Sequence, residues 1–317
     1  MNRPDYLVLG ATGAIGSAVV EALLKHGNKV SVLVRNRRKI ERLFGDTDKI
    51  EVIEGDALKP EDVNMAASEK KYITHAINFP YDKWENNMEK VTQNVIEAAA
   101  LNKSTILFPG NIYNFGMLTP ILEDSPALPV SRKGHIRVKL ESMLKTAAEA
   151  SQCRVVNLRL PDFYGPNVVN GLMMPVFANA LKGKPMQWLV SAKVPHQLVY
   201  IRDAGELFVR LAQMKDFSDY EVFNFGGITV NSIKEWFEQI ARAVRVKPKM
   251  RILPKWMISI LSPFSPVVRE VREMAYLFEN PILLNDSKLK KQLPDFQPTD
   301  MDVSIRETLD WFKKNVI

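Results

Sequence analysis

A chain of 317 residues with 46% hydrophobic and 25% charged residues can bury a large α/β core and a second lobe, which excludes a disordered or fibrous protein. The formal charge of +7 and pI of about 9.3 suit phosphate-bearing ligands, but acids and bases are interspersed along the chain, which argues against a basic nucleic-acid arm. The single cysteine, Cys153, permits no internal disulfide, and the N-terminus enters a strand with no signal-peptide-like run, so a reducing, cytoplasmic setting is expected.

Apolar, β-rich runs alternate with helical patterns from the start: YLVLG, KVSVLV, KIEVIEGD, YITHAINF, STILFPG and CRVVNLRL. Between them, AIGSAVVEALLKHG reads as a helix ending near Gly27, and NMEKVTQNVIEAAALN carries an apolar stripe of Val91, Val95, Ile96 and Ala99. Right-handed crossovers then require a Rossmann-type, doubly wound parallel sheet with helices on both faces. Beyond residue 167 the rhythm breaks into a helix and an expected hairpin across KPMQWLVSAKVPH. A strand and helix resume at QLVYIRDAGELFVRLAQM, followed by a strand at YEVFNFGG. Residues 1–167 and 198–224 are thus expected to form the dinucleotide-type domain, and 168–197 with 225–317 a smaller, mostly helical substrate lobe. The run WMISILSPFSPVV, Trp256 to Val268, is too short to span a bilayer and is broken by prolines; it reads as a lobe-packing helix, with a loose membrane contact as the alternative and no stable insertion.

The most informative motif is the glycine turn GATGAIG between the first strand and first helix. Gly10 permits a tight turn, Gly13 lets backbone approach a pyrophosphate, and Gly16 allows close helix-to-strand packing, with Thr12, Ala14 and Ile15 between them. The second strand ends at Arg35, nineteen residues after Gly16, where an acid would bind the ribose hydroxyls of NAD. The run RNRRK instead pairs a 2′-phosphate through Arg35, with Arg37 or Arg38, so NADP is favoured and NAD remains possible. At the end of the third strand Asp56 and Ala57 are placed to meet the adenine, or Asp56 simply forms a turn.

These residues, with NVIEAAA (including Asn94), IYNFG, LRLPDFYGP and VPHQLVYIRDAGE, resemble the extended and atypical branches of the short-chain dehydrogenase/reductase superfamily, the NAD-dependent epimerase/dehydratase-like group. The resemblance covers most of the chain and implies a dinucleotide cleft at the carboxyl edge of the sheet with a substrate lobe over it. It also implies that the loops Asn78, Phe79, Pro80, Tyr81 and Asp82, and Leu160 to Gly165 with Phe163, line the nicotinamide end. Such proteins place a Ser or Thr four residues before the aromatic of a VYG-like ending. Here that position is Pro109, with no side-chain donor, and Asn111 is the nearest amide. The family's Tyr-x-x-x-Lys pair should fall in SRKGHIRVKLESMLK, which has no Tyr. Two registers fit: His135 with Lys139, or Lys133 with Arg137 if Glu141 matches the glutamate that often follows the pair. Histidine titrates near neutrality and suits proton transfer, whereas a lysine beside an arginine suits an anionic substrate or the cofactor. The same cations also read as a solvated face.

Other residues carry less. His26 is expected at a helix C-terminus, His75 in the core, and His196 near the cleft mouth; Phe79, Tyr81, Trp84, Phe163 and Trp188 are aromatics for either a substrate pocket or plain core. No residue spacing suggests a metal site. Two functions follow: an NADP-favouring oxidoreductase or epimerase-like enzyme acting on a carbonyl or secondary alcohol of a small molecule, with a non-standard acid/base, or a non-catalytic NADP-binding sensor or assembly protein. Either is expected as a monomer or homodimer without a nucleic-acid partner.

Overall fold

Strand β1 (Tyr6–Leu9) is buried at all four positions, as a strand covered on both faces must be. It leads through α1 (Ala14–Lys25) to β2 (Val30–Val34), α2 (Arg37–Phe44), β3 (Ile50–Glu54), α3 (Pro60–Ala67) and β4 (Tyr72–His75). The chain continues as α4 (Trp84–Asn102), β5 (Thr105–Asn111), α5 (Arg132–Glu149), β6 (Arg154–Leu160) and β7 (Asp162–Tyr164). Then come α6 (Met174–Leu181), β8 (Met186–Leu189), β9 (His196–Tyr200), α7 (Ile201–Ala212) and β10 (Tyr220–Asn224). The last stretch holds β11 (Ile228–Val230), α8 (Ile233–Ala243), β12 (Met250–Leu253), α9 (Lys255–Leu261), α10 (Pro266–Glu273), α11 (Ser287–Gln292) and α12 (Met301–Asn315). This computed structural model describes residues 5–46, 48–80, 83–214 and 217–317.

Seven strands form one sheet in the order β10-β6-β5-β4-β1-β2-β3, with parallel pairings that begin Tyr6↔Val30, Tyr6↔Tyr72, Val30↔Ile50 and Tyr72↔Thr105. The order reverses between β1 and β4, the switch point at which doubly wound sheets open a crevice beyond the strands' carboxyl ends. Helix α7 packs on α1 closely enough that a Cβ at Gly205 would lie 2.4 Å from the Ala18 carbonyl oxygen, so the glycine of YIRDAGE is a packing requirement. Burial pushes the Cys153 thiol up to about 11, which keeps it protonated.

The chain divides into two compact units: residues through 111, 135–159 and 201–223, and residues 112–134, 160–200 and 224–317. Four pieces expected in the first unit, 112–134, 160–167, 198–200 and residue 224, therefore belong to the second. The cause is local pairing, since β7 and β9 join β11 in a separate three-stranded sheet and Ile121 bridges to Leu284. The expected hairpin does not form. Strand β8 pairs in parallel with β12, beginning Met186↔Met250, while β9 pairs antiparallel with β11, so the two strands of KPMQWLVSAKVPH lie in different sheets. Trp188 is 1% exposed and packs edge-on against Trp236, Phe237 and Phe278, which makes it core of the second unit and not a pocket wall.

Candidate active site

In the first unit the glycine turn has the geometry that its spacing predicts. Gly10 adopts φ +84°, and a Cβ there would lie 2.4 Å from the Ala76 carbonyl oxygen; a Cβ at Gly16 would lie 2.2 Å from the Gly10 carbonyl oxygen. Both positions exclude side chains because backbone fills the space. Gly13 differs: its nearest neighbour to an added Cβ is the Gly10 carbonyl oxygen at 3.4 Å, an ordinary contact. The room beside Gly13 is therefore room for a ligand. Gly13 also caps α1, whose first turn, with Ala14, Ile15 and Gly16, carries no acid, so its orphan N–H groups and positive dipole end suit an anion. Thr12 is half-buried on the turn. These features fit a dinucleotide pyrophosphate.

At the end of β2 the three arginines separate. Arg37 donates through its backbone N–H to Glu54 (3.0 Å) and through Nη2 to the Val52 carbonyl (2.8 Å), which ties it to β3. Asn36 caps α2 by accepting from the Arg38 N–H, and the side chains of Arg35 and Arg38 are exposed beside it. Asp56 accepts from the Leu58 N–H (3.0 Å), so it does form the turn, and Asn94 of α4 donates to the Ala57 carbonyl (2.9 Å), pinning that loop.

Helix α5 carries both candidate pairs, His135 with Lys139 and Lys133 with Arg137. His135 is exposed, and Lys139, also exposed, pairs with Glu89 of α4 at 2.5 Å. Arg137 is tied to β5: its Nη1 donates to the Pro109 carbonyl (3.2 Å), and its guanidinium lies 5.3 Å from the Trp84 ring centre and 5.5 Å from that of Phe108. Trp84 is itself fixed by donation to the Phe79 carbonyl (2.9 Å), so it serves as a platform for Arg137. Asn111, half-buried, closes β5. Below Gly110, whose Cβ would lie 2.3 Å from Asn157 Oδ1, Glu141 accepts from Arg159 at 2.9 Å in a buried ion pair. His75 ends β4, with Nε2 3.0 Å from the Thr92 hydroxyl; burial, then the Arg137 charge, pulls its pKa down to about 3.

Of the remaining candidates, the second unit holds Lys133, Leu160, Phe163 and His196. Lys133, in the first turn of α5, is buried and pairs with Glu270 at 2.7 Å. His196 pairs with Asp162 at 2.9 Å and stacks on Phe278, a His–carboxylate pair between residues 34 apart in sequence that no local pattern signalled. Leu160 is buried and Phe163 half-buried in this unit. Asn78 and Pro80 are exposed on the loop after β4, with Phe79 half-buried, and Tyr81 and Asp82 lie outside the described residues. His26, at the end of α1, pairs with Glu206 of α7 rather than serving the helix dipole alone. Among the described residues no three His, Cys, Asp or Glu side chains are grouped to hold a metal.

A family model described as the NAD dependent epimerase/dehydratase family matches residues 6–226. The chain belongs to that family. Among curated proteins, a UDP-N-acetyl-alpha-D-glucosaminuronate decarboxylase of Bacillus cytotoxicus is 23% identical over 97% of each chain. Among solved structures, the UDP-glucuronic acid 4-epimerase of Bacillus cereus in complex with NAD superposes with a TM-score of 0.79 at 19% identity, covering 98% of this chain and 99% of that one. The UDP-N-acetylglucosamine 4-epimerase of Methanobrevibacter ruminantium in complex with UDP-N-acetylmuramic acid gives 0.80 at 18%, covering all of both chains. At such identities these structures establish the fold.

A pair of glycine substitutions tests the cradle. Gly16→Ala is expected to destabilise the fold by about 1–3 kcal/mol, because backbone must shift to admit the methyl. Gly13→Ala is expected to leave the melting temperature near wild type while weakening dinucleotide binding at least about tenfold, ~1.4 kcal/mol, as read by calorimetry.

Proposed function

We propose that the protein binds a nicotinamide dinucleotide, NADP in preference to NAD, and carries out epimerase-type chemistry at a secondary alcohol or carbonyl of a small molecule. A nucleotide-linked sugar is the substrate class that the relatives' activities support. The observation that carries this reading is the open Gly13 cradle, with Arg35 and Arg38 exposed beside the end of β2 and no acid in their place. Arg35 leads in pairing a 2′-phosphate, with Arg38 as second partner, because Arg37 is committed to β3. Gly10 to Gly16 would hold the pyrophosphate, and Asp56 and Ala57 the adenine. When bound, the nicotinamide supplies a hydride acceptor and donor.

The α5 face then takes the second of the two registers. Arg137, fixed by Pro109, Trp84 and Phe108, presents a permanent charge at the end of β5 that polarises an oxygen, and Asn111 orients it. Lys133, one helical turn earlier on α5 and paired with Glu270, is the acid/base of that register. The same ion pair favours the second reading, a non-catalytic NADP-binding protein in which Lys133 only anchors α5.

A thermal-shift panel of NAD, NADH, NADP and NADPH tests the cofactor, since a ligand at about a hundred times its dissociation constant adds ~2.7 kcal/mol. NADP is expected to raise the melting temperature most, and Arg35→Ala to remove that advantage without changing the response to NAD; equal binding of NAD and NADP overturns the preference. Stereospecific deuteride loss from labelled NADPH in the presence of nucleotide-sugar carbonyl compounds, abolished in Lys133→Ala, supports catalysis. No transfer in the wild type, with NADPH still bound, supports the second reading.

A further inference from the structure

The second unit carries a surface that neither the fold nor the proposed chemistry uses. From Arg242 to Arg269 the sequence holds seven cations, Arg242, Arg245, Lys247, Lys249, Arg251, Lys255 and Arg269, and no acid. All seven are exposed. Within the same stretch α9 and the 3-10 turn Ser262–Phe264 expose Trp256 (62%), Ile260 (60%), Leu261 (43%) and Phe264 (84%). Trp256, Ile260 and Phe264 recur every fourth residue, so they share one side of the helical run, while Ile258 is fully buried on the opposite side and anchors α9 to the unit. Large apolar side chains grouped on a surface mark a contact site, unlike single exposed ones. The parallel register of β8 with β12, beginning Met186↔Met250, brings exposed Lys182 and Lys184 to the same basic edge. Among the acids of the neighbouring elements, Glu279 is spent on Lys255 (2.8 Å) and Glu270 on Lys133 and Arg132.

We propose that this face docks on an anionic lipid bilayer, with Trp256, Ile260, Leu261 and Phe264 entering the headgroup boundary and the surrounding cations held against lipid phosphates and carboxylates. The composition selects this occupant. An apolar ridge led by a tryptophan, on an acid-free stretch rich in exposed lysine and arginine, has the composition by which an interfacial helix binds: the ridge supplies burial and the cations supply attraction to negative surface charge. A second copy of the chain meeting the same patch across a two-fold axis would oppose like charges. A nucleic-acid backbone would satisfy the cations and leave the ridge in water. No helix of the described residues is long and apolar enough to cross a membrane, so the contact is peripheral and reversible.

Co-sedimentation of the full chain with vesicles of phosphatidylcholine alone, or with about a third phosphatidylserine, tests it. Binding is expected to the anionic vesicles only and to weaken as salt rises. Lys249→Gln and Arg251→Gln are each expected to reduce partitioning about fivefold. Ile260→Ser with Phe264→Ser is expected to reduce it at least about tenfold. Both side chains are exposed, so the double variant should melt as wild type, and an unchanged response to dinucleotide in the thermal-shift panel verifies its fold. Equal binding to both vesicle types, no binding to either, or wild-type partitioning of the double variant overturns the proposal. Dimerisation in sedimentation velocity, or single-stranded DNA binding, that is lost in Ile260→Ser/Phe264→Ser without anionic-vesicle binding also overturns it and assigns the face to the other occupant.

Discussion

Arg159→Met is expected to lower the stability of the protein by about 3–5 kcal/mol, read as a fall in the urea midpoint, whereas Arg159→Met combined with Glu141→Leu should recover most of that loss. The pair is buried on both sides, with 8% and 9% of the side chains exposed. Behind it stand Asn157 and Tyr220, and Asn157 donates to the Tyr220 hydroxyl at 3.3 Å. Burial, and then the Glu141 charge, pushes the Tyr220 phenol well above its ordinary range, so a second negative charge does not form there. Removing Arg159 alone therefore strands a carboxylate in an apolar setting, while removing both charges strands none. If the double variant were as unstable as the single, the pair would be contributing through packing and not charge. The pair also bears on the site, because Asn157 Oδ1 fills the space where a side chain at position 110 would stand. That is the local reason that position 110 is glycine: the network under the strand leaves no volume there for a side chain.

How much of this was legible in the sequence divides along the two units. Strands of the first unit are covered on both faces, so they appear as unbroken apolar runs such as YLVL and VSVLV, and the glycine spacing reports backbone proximity directly. In the second unit the pairings Met186↔Met250 and His196↔Val230 join segments tens of residues apart, and alternation within a short strand does not encode which distant strand it meets. For that reason KPMQWLVSAKVPH looked like a hairpin. The sequence leaves the two registers of α5 open for a different reason. Both pairs satisfy i,i+4 spacing, and the buried side of the helix includes Lys133 and Glu141 beside Leu140 and Leu144, so hydrophobicity does not mark the inward face. What marks it is tertiary: Glu270 meets Lys133, Pro109 and Trp84 meet Arg137, and Glu89 draws Lys139 outward. The long-range partners Glu270, Arg159 and Asp162 leave no local signature in sequence.

His75 should dominate the acid limb of the stability curve. Its ring is fully buried, bonded at Nε2 to Thr92, and held near pKa 3 by burial and then by the Arg137 charge, against 6.5 when exposed. Below pH 6.5 the unfolded chain takes up a proton at this position that the folded chain refuses, so unfolding gains and stability falls as pH drops. The contribution approaches ~1.4 kcal/mol per pH unit between 6.5 and 3, roughly 4–5 kcal/mol in all, and vanishes above pH 7. His75→Gln keeps a hydrogen-bonding partner for Thr92 and removes the titration, so its stability between pH 4 and 6.5 should fall with a slope smaller by about one proton. Identical slopes in the two proteins would show that His75 is not refusing a proton. Arg137→Met offers a second handle: with the neighbouring charge gone the His75 pKa should rise, which imidazole resonances followed by NMR would register directly, while burial should still keep it below 6.5. The two side chains thus divide one place at the carboxyl edge of the sheet, where a single permanent cation is accommodated and a second is excluded. Arg137 keeps its charge at every working pH, and its charge helps to hold His75 neutral behind it, so the one cation at this edge is the arginine that the proposed chemistry needs.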